Sequence, residues 1–275
     1  MHFNVNFEPI QCLIQQKRMT KKQEHIVIIG TGKVAYQLGL QLKKNGHHIK
    51  YIWGRDSNKA KHLSNLLDSK VLPSLKETPS DHLSLVCVSD FAIEEVISQL
   101  PLNTKIAYTS GSIKIEDLPF RKYLGVFYPL QTFSQNKNID ISVVPFLIEA
   151  NEIEFQNELK KLAETLSSKV IIANSQDRYN THIGAVMVNN FTNFLYHLAQ
   201  QHLNEHNLDF DLLKPLIKET AEKLNTLTPI AAQTGPAARG DKNIIEQHIN
   251  SITNTETKKL YQLFSALIEK EINKS

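Results

Sequence analysis

Two groups of residues in this chain have types and spacings suited to chemistry. The first is His25–Ala35, which reads His-Ile-Val-Ile-Ile-Gly-Thr-Gly-Lys-Val-Ala. An apolar, β-branched run breaks at Gly30-x-Gly32-x-x-Ala35 and gives way at once to helical periodicity, the order that a dinucleotide-binding βα turn requires. Gly30 lets the chain leave the strand in a tight turn. Gly32 keeps side-chain atoms away from a pyrophosphate, and Ala35 lets the helix lie close on the sheet. Thr31, Lys33 and Val34 complete the turn, whose N–H groups face the phosphates. The second group surrounds His182. At helical spacing Arg178, His182, Asn189, Asn193 and Tyr196 share one stripe, opposite an apolar face of Ile183, Met187, Phe191, Phe194 and Leu198. A solvated face favours Lys and Glu, and this stripe is instead Asn, His and Tyr. Hydride transfer to a carbonyl needs a proton donor at the oxygen, and histidine is the side chain poised near neutral pH.

The residues after the second strand bear on cofactor choice. His48–Trp53 ends in Gly54-Arg55-Asp56-Ser57-Asn58-Lys59. An NAD site carries Asp or Glu at this tip to accept from the ribose 2′-hydroxyl; here Gly54 takes the place and Arg55 follows. Arginine's planar fork of donors suits a 2′-phosphate, with Ser57 and Lys59 adding a hydroxyl and a second charge. NADP is favoured over NAD. Asp56 dissents, because an inward-turned Asp56 would accept NAD, and a plain solvated turn into the helix at Ser57 also fits.

Four further loops are candidates. Ser89-Asp90 and Tyr108-Thr109-Ser110-Gly111-Ser112 close apolar strands, where ligands of open α/β sheets bind, so Ser89, Ser110 and Gly111 are expected cofactor contacts; Ser and Asp also cap helices. Gly125–Ser134 runs from an apolar strand into Tyr128, Gln131 and Thr132, neutral hydrogen-bonding groups suited to a small polar substrate; a packed core turn is the competing reading. Thr234-Gly-Pro-Ala-Ala-Arg239-Gly-Asp241 marks a connection between helices, with Asp241 a good N-cap and Arg239 able to clamp a substrate carboxylate or phosphate. No metal site is read from the spacing of the potential ligands.

The elements that must position these residues change character along the chain. Strand and helix alternate through the first half, the pattern of a parallel sheet covered by helices. From about residue 152 helical periodicity dominates (roughly 152–167, 175–206, 211–226 and 241–272, broken near Asn254), with only Lys169–Ala173 reading as a strand. The expected fold is an α/β Rossmann-type domain over 23–150 followed by an all-α domain over 151–275, preceded by a leader or disordered arm over 1–22, with substrate in the cleft between domains. A net charge of +3 without an extended basic block points away from nucleic acid. No apolar run spans a membrane, and two cysteines, Cys12 and Cys87, make no disulfide framework, so a reducing cytoplasm is the expected home.

Taken together, Gly30-x-Gly32-x-x-Ala35, Thr109–Ser112, Gly125–Ser134, His182…Asn190 and Thr234–Asp241…His248 resemble, in order and from about residue 25 to 270, a family of bacterial proteins with a Rossmann-like N-terminal and a helical C-terminal domain of uncharacterised function. Their architecture is similar to that of pyrroline-5-carboxylate reductase, ketopantoate reductase and deazaflavin-dependent NADP reductases, with a 6-phosphogluconate-dehydrogenase-like helical part. The resemblance implies an NADP-linked fold, a homodimer through the helical domain, and His182 with Asn190 as catalytic candidates. It supplies no substrate. Hydroxyacid-dehydrogenase relatives use a helical Lys followed four residues later by Asn; here Val186 stands four residues after His182, so that mechanism does not carry over. The expected activity is NADP-dependent hydride transfer to or from a small polar carbonyl, imine or alcohol. The alternative is a non-catalytic NADP-binding sensor on the same fold.

Overall fold

The computed structural model describes residues 25–134 and 139–274. The leader or arm expected over 1–22, with Cys12, lies outside the described residues. The chain forms two compact units, Met1–Val186 and Met187–Ser275.

The first unit is built on an eight-stranded sheet: β1 (His25–Ile29), β2 (His48–Trp53), β3 (Lys70–Val71), β4 (Leu83–Val86), β5 (Lys105–Tyr108), β6 (Leu124–Pro129), β7 (Phe146–Ala150) and β8 (Val170–Ile172). Their spatial order is β3-β2-β1-β4-β5-β6-β7-β8. β1 to β6 run parallel, as the alternation of strand and helix predicts. β7 reverses against β6, and β8 follows β7, so the sheet is mixed at that edge. The Lys169–Ala173 segment expected as a strand is thus part of this sheet.

Helices α1 (Lys33–Lys44), α2 (Ser57–Leu66), α3 (Asp90–Gln99) and α4 (Ile153–Glu164) cover the strands, and α5 (Ser175–Ala185) closes the unit. Alternate residues of each strand supply opposite faces. Ile26 and Ile28 join Leu38 and Leu42 of α1 and Phe155 and Leu159 of α4 in one core. Val27 and Ile29 join Ile93, Val96 and Ile97 of α3 in the other. The strand order turns back between β1 and β4, since β1 sends one connection to β2 on one side while β4 pairs on its other. In open α/β sheets the crevice at such a switch point, beyond the carboxyl ends of the strands, is where ligands bind.

The second unit contains α6 (Thr192–Glu205), α7 (Lys214–Glu222), the short α8 (Pro236–Arg239), α9 (Lys242–Ser251) and α10 (Thr255–Ile272). A π-helical segment, Val186–Phe191, precedes α6. A π turn inserts an extra residue, so the stripe counted at uniform helical spacing from Arg178 to Tyr196 loses its phase after Val186. Among the described residues of this unit only Ala237 and Ile252 are buried, while Met187, Phe191 and Phe194 are each more than half exposed.

Phe155 is 1% exposed and packs in the core of the first unit although it lies past residue 150. Phe155→Ala is therefore expected to destabilise the sheet-bearing unit by about 3–5 kcal/mol, read from its urea-unfolding midpoint. A loss below about 1 kcal/mol would mean that α4 is not part of that core.

Candidate functional site

The glycine turn is shaped by its neighbours. Gly30 has φ +126°, donates its N–H to Trp53 O at 2.7 Å, and would place a Cβ 2.2 Å from Cys87 O. Only glycine fits there. Gly32 is the N-cap of α1, with no side-chain cap and no acidic residue in the first turn. A Cβ on Gly32 would meet nothing within 4 Å. The first-turn N–H groups, contributed by residues from Lys33 onward, are therefore unclaimed by side chains at the positive end of the helix dipole. A cavity of about 450 Å³ opens beside the turn, lined by Gly30, Thr31, Gly32, Arg55, Ser89, Cys87 just past β4, and neighbouring residues of β2 and α3. Open backbone donors, a missing Cβ and an empty volume fit a pyrophosphate. Ala35, in the first turn of α1, is fully buried, as close helix–sheet packing demands.

At the tip of β2 the three contenders separate. Gly54 would place a Cβ 2.5 Å from Thr31 Cγ2, so it keeps the two loops in contact. Asp56 is the N-cap of α2, its Oδ1 accepting from the N–H groups of Asn58 and Lys59, both at 3.0 Å. Its carboxylate is engaged with the helix rather than turned to a ribose. Arg55 lines the cavity, is exposed, and makes no ion pair among the described residues. Ser57 opens α2 beside it and is exposed.

Further along the same carboxyl edge lies a polar network around Arg178 on α5. Arg178 is 1% exposed. Its Nη1 donates to Ser110 O (3.1 Å) and Ile113 O (2.7 Å), and its Nη2 donates to Glu149 Oε2 (3.0 Å) and Ser175 Oγ (3.2 Å). Ser110 Oγ accepts from the N–H groups of Ser112 and Ile113, both at 3.1 Å, and Ser112 Oγ donates to Asp90 at the start of α3. The loop after β5 is thus fixed from both sides. Burial of Tyr108 beneath this network raises its phenol well above the usual range, and the nearby Arg178 only partly opposes that.

One helical turn after Arg178, His182 meets Tyr128 of β6: the Tyr128 hydroxyl and His182 Nδ1 are 3.0 Å apart. Gly111 permits this approach, since a Cβ there would stand 2.6 Å from His182 Nδ1 and 2.8 Å from Tyr128 Cζ. Burial holds the Tyr128 phenol above its ordinary pKa, so it is a neutral hydroxyl at physiological pH. A phenol both donates and accepts, so it fits either imidazole tautomer. With Nδ1–H donated to Tyr128, Nε2 is the nitrogen left to exchange a proton.

Other expected residues fall elsewhere. Gln131 and Thr132 are exposed just past β6, where the Gln131 side chain accepts from Thr132 N at 2.8 Å. Phe133 packs in the core, as the competing reading of the Gly125–Ser134 loop expects for that residue. Asn190 lies exposed in the π segment, its Oδ1 accepting from Asn189 Nδ2 at 3.2 Å. Arg239, in the second unit, is ion-paired with Asp241 at 2.9 Å. Asp241 does hold the N-cap position of α9, but its side chain makes no capping bond because Arg239 occupies it. Ser89 occupies the N-cap of α3, also without a side-chain cap, and faces the cavity. Glu149 and Ser175 were missed by sequence reasoning. The signal for Glu149 was a lone charge at the end of the apolar strand Phe146–Ala150.

The fold and this edge define the class: a Rossmann-type oxidoreductase domain joined to a helical C-terminal region. Residues 25–107 match the family described as NADP oxidoreductase, coenzyme F420-dependent, and residues 144–268 match a domain of unknown function, DUF2520. The chain belongs to the family of the "putative NADP oxidoreductase BF3122" of Bacteroides fragilis, with 34% identity over 90% of this chain and 99% of that one and a TM-score of 0.82. Its fold is also that of 1-pyrroline-5-carboxylate reductase from Streptococcus pyogenes (18% identity, 91% and 97% covered, TM-score 0.61). A reductive aminase from Aspergillus terreus, solved with NADPH and ethyl levulinate, is a more distant likeness (13%, 91% and 88% covered, TM-score 0.58). No curated protein matches the chain.

Burial pushes the Cys87 thiol up to about 12, so it is not a nucleophile at neutral pH. In a Cys12→Ser background, a disulfide reagent should leave the native protein unmodified and titrate one thiol after denaturation. Rapid reaction in the native state would show that the cavity floor opens.

Proposed function

We propose that the protein is an NADP-dependent oxidoreductase that moves hydride to or from a small polar carbonyl, imine or alcohol. The observation that carries this reading is the carboxyl edge itself: an uncapped, Cβ-free helix start beside a cavity, an unpaired Arg55 at the β2 tip, and a Tyr128–His182 couple on the same edge. A similar fold, the Aspergillus terreus reductive aminase, was solved with NADPH, which supports the same class of cofactor.

 The first-turn N–H groups of α1, with Thr31 and Lys33, would hold the pyrophosphate. Arg55, aided by Ser57 and Lys59, would hold a 2′-phosphate, and Ser89, Ser110 and Gly111 would border the rest of the cofactor. When bound, the nicotinamide supplies or accepts the hydride.

The chain's own residues handle the proton. In reduction, the His182 imidazolium would give its Nε2 proton to the substrate oxygen or nitrogen as the carbon receives hydride, leaving the neutral ring with Nδ1–H on Tyr128; in oxidation Nε2 of the neutral ring would take the proton and restore the cation. Tyr128 keeps the ring oriented by its bond to Nδ1 and, being a neutral phenol, adds no charge. The buried Arg178 fixes the backbone of the loop that presents Gly111 to the ring, which makes it a positioning residue.

NADPH and NADH titrated in parallel by calorimetry test the reading. NADPH is expected to bind tightly, and Arg55→Ala to weaken it by about 10–100-fold while changing NADH little, a loss of the size expected for charge-assisted bonds to phosphate. His182→Ala should leave NADPH affinity intact and lower turnover by about 10²–10⁴-fold. No binding of either nucleotide would overturn the proposal; tight binding without turnover on a broad carbonyl and imine panel would favour the sensor.

The helical unit supports a second element of the proposal, a homodimer. A unit of this size with only Ala237 and Ile252 buried lacks the core that a helical bundle needs, and Met187, Phe191 and Phe194 supply an uncovered apolar surface. Sedimentation equilibrium should find a dimer, and Phe194→Lys should shift it to monomer. A monomeric wild-type protein at micromolar concentration would contradict this. No helix among the described residues is long and apolar enough to cross a membrane.

A further inference from the structure

Near the carboxyl end of α6, His202, Glu205 and His206 occupy positions i, i+3 and i+4, which the helix places on one face. One ligand atom from each of the three lies within 4.8 Å of the others. The two imidazoles are 4.8 Å apart between ring centroids. The spacing His-x-x-Glu-His also occurs in zinc sites, although the spacing alone did not single this group out. In the second unit it acquires two features that the sequence did not show. Glu205 Oε2 accepts from Thr253 Oγ1 at 2.8 Å, so the carboxylate is oriented by the connector between α9 and α10. His202 and Glu205 also border a small hollow of about 10 Å³ with Gln201, Asn254 and Thr257, a volume that suits a single water or ion.

We propose that His202, Glu205 and His206 form a binding site for a late first-row divalent cation, with Zn²⁺ or Co²⁺ as the probe. Two imidazoles and one carboxylate are a borderline donor set that favours such ions over Mg²⁺ or Ca²⁺, which take oxygen. Tetrahedral ligands at about 2.0–2.2 Å from zinc stand roughly 3.4 Å apart, so small side-chain rotations complete the site without backbone movement. Three protein ligands leave at least one coordination position to water. The Glu205–Thr253 bond is the kind of outer contact that orients a metal ligand, and it ties the ion to a second segment of the unit. Metal binding would thus fasten the last turn of α6 to the residue 252–254 connector. The site is independent of the nucleotide chemistry proposed above.

The test uses the full chain, free of any affinity tag and stripped by a chelator, titrated with Zn²⁺ by calorimetry and with Co²⁺ by visible absorption. One ion per chain is expected, with a rise in Tm on zinc addition. His202→Ala and His206→Ala should each abolish one-to-one binding, and Thr253→Val should weaken it by about tenfold while leaving the fold intact. His197→Ala, an exposed histidine on the same helix outside the cluster, should bind as the unaltered protein does. Absence of saturable binding, or binding that survives the His202→Ala/His206→Ala double substitution, would overturn the proposal.

Discussion

The arrangement of the first unit depends on one buried charge. The Arg178 guanidinium is out of water, and a charge in that position is tolerated only when its donors are taken up. Glu149 supplies the counter-charge from β7, Ser175 a hydroxyl, and the backbone carbonyls of Ser110 and Ile113 the remaining acceptors. Only its Nε is left without an acceptor among the described residues. Removing one partner of such a pair costs about 3–5 kcal/mol, so the loop after β5, the end of β7 and α5 hold one relative placement. His182, one turn along α5, inherits that placement, and the Gly111 backbone is held where His182 can approach Tyr128.

The rest of the edge follows from the sheet. Parallel strands deliver their carboxyl ends to one side, and the reversal of strand order between β1 and β4 opens a crevice there. The glycine turn, the β2 tip and the β4 tip line one cavity because their strands are neighbours. Ser112, bonded to Asp90 at the head of α3, carries the same edge from the β4 tip to the loop that Arg178 fixes. In the proposed reading, anion binding and proton handling are properties of neighbouring strand tips. No single motif holds both.

Much of this was legible in the sequence where local physics decides the outcome. The βα turn was readable because Gly30 needs a positive φ, and Arg55 stood out because an acidic residue was missing. The α6 region was less readable. A uniform helical count carried the polar stripe from Arg178 to Tyr196, and the π segment at Val186–Phe191 broke its phase. The reversal of β7 was not legible, because Phe146–Ala150 reads the same in either direction. Asp56 and Asp241 show the limit of capping rules. Both hold N-cap positions, but Asp56 caps α2 while the side chain of Asp241 is taken by Arg239, a choice set by a neighbour's geometry rather than by residue type.

In the proposed function the β1–β2–β4 crevice holds a dinucleotide carrying a 2′-phosphate. The most direct test is a crystal structure of the protein grown with NADP⁺. The pyrophosphate is expected on the N-terminal N–H groups of α1 and the 2′-phosphate in hydrogen-bonding contact with Arg55. A dinucleotide bound elsewhere, or one whose adenosine ribose is held by Asp56 with Arg55 turned to solvent, would contradict it.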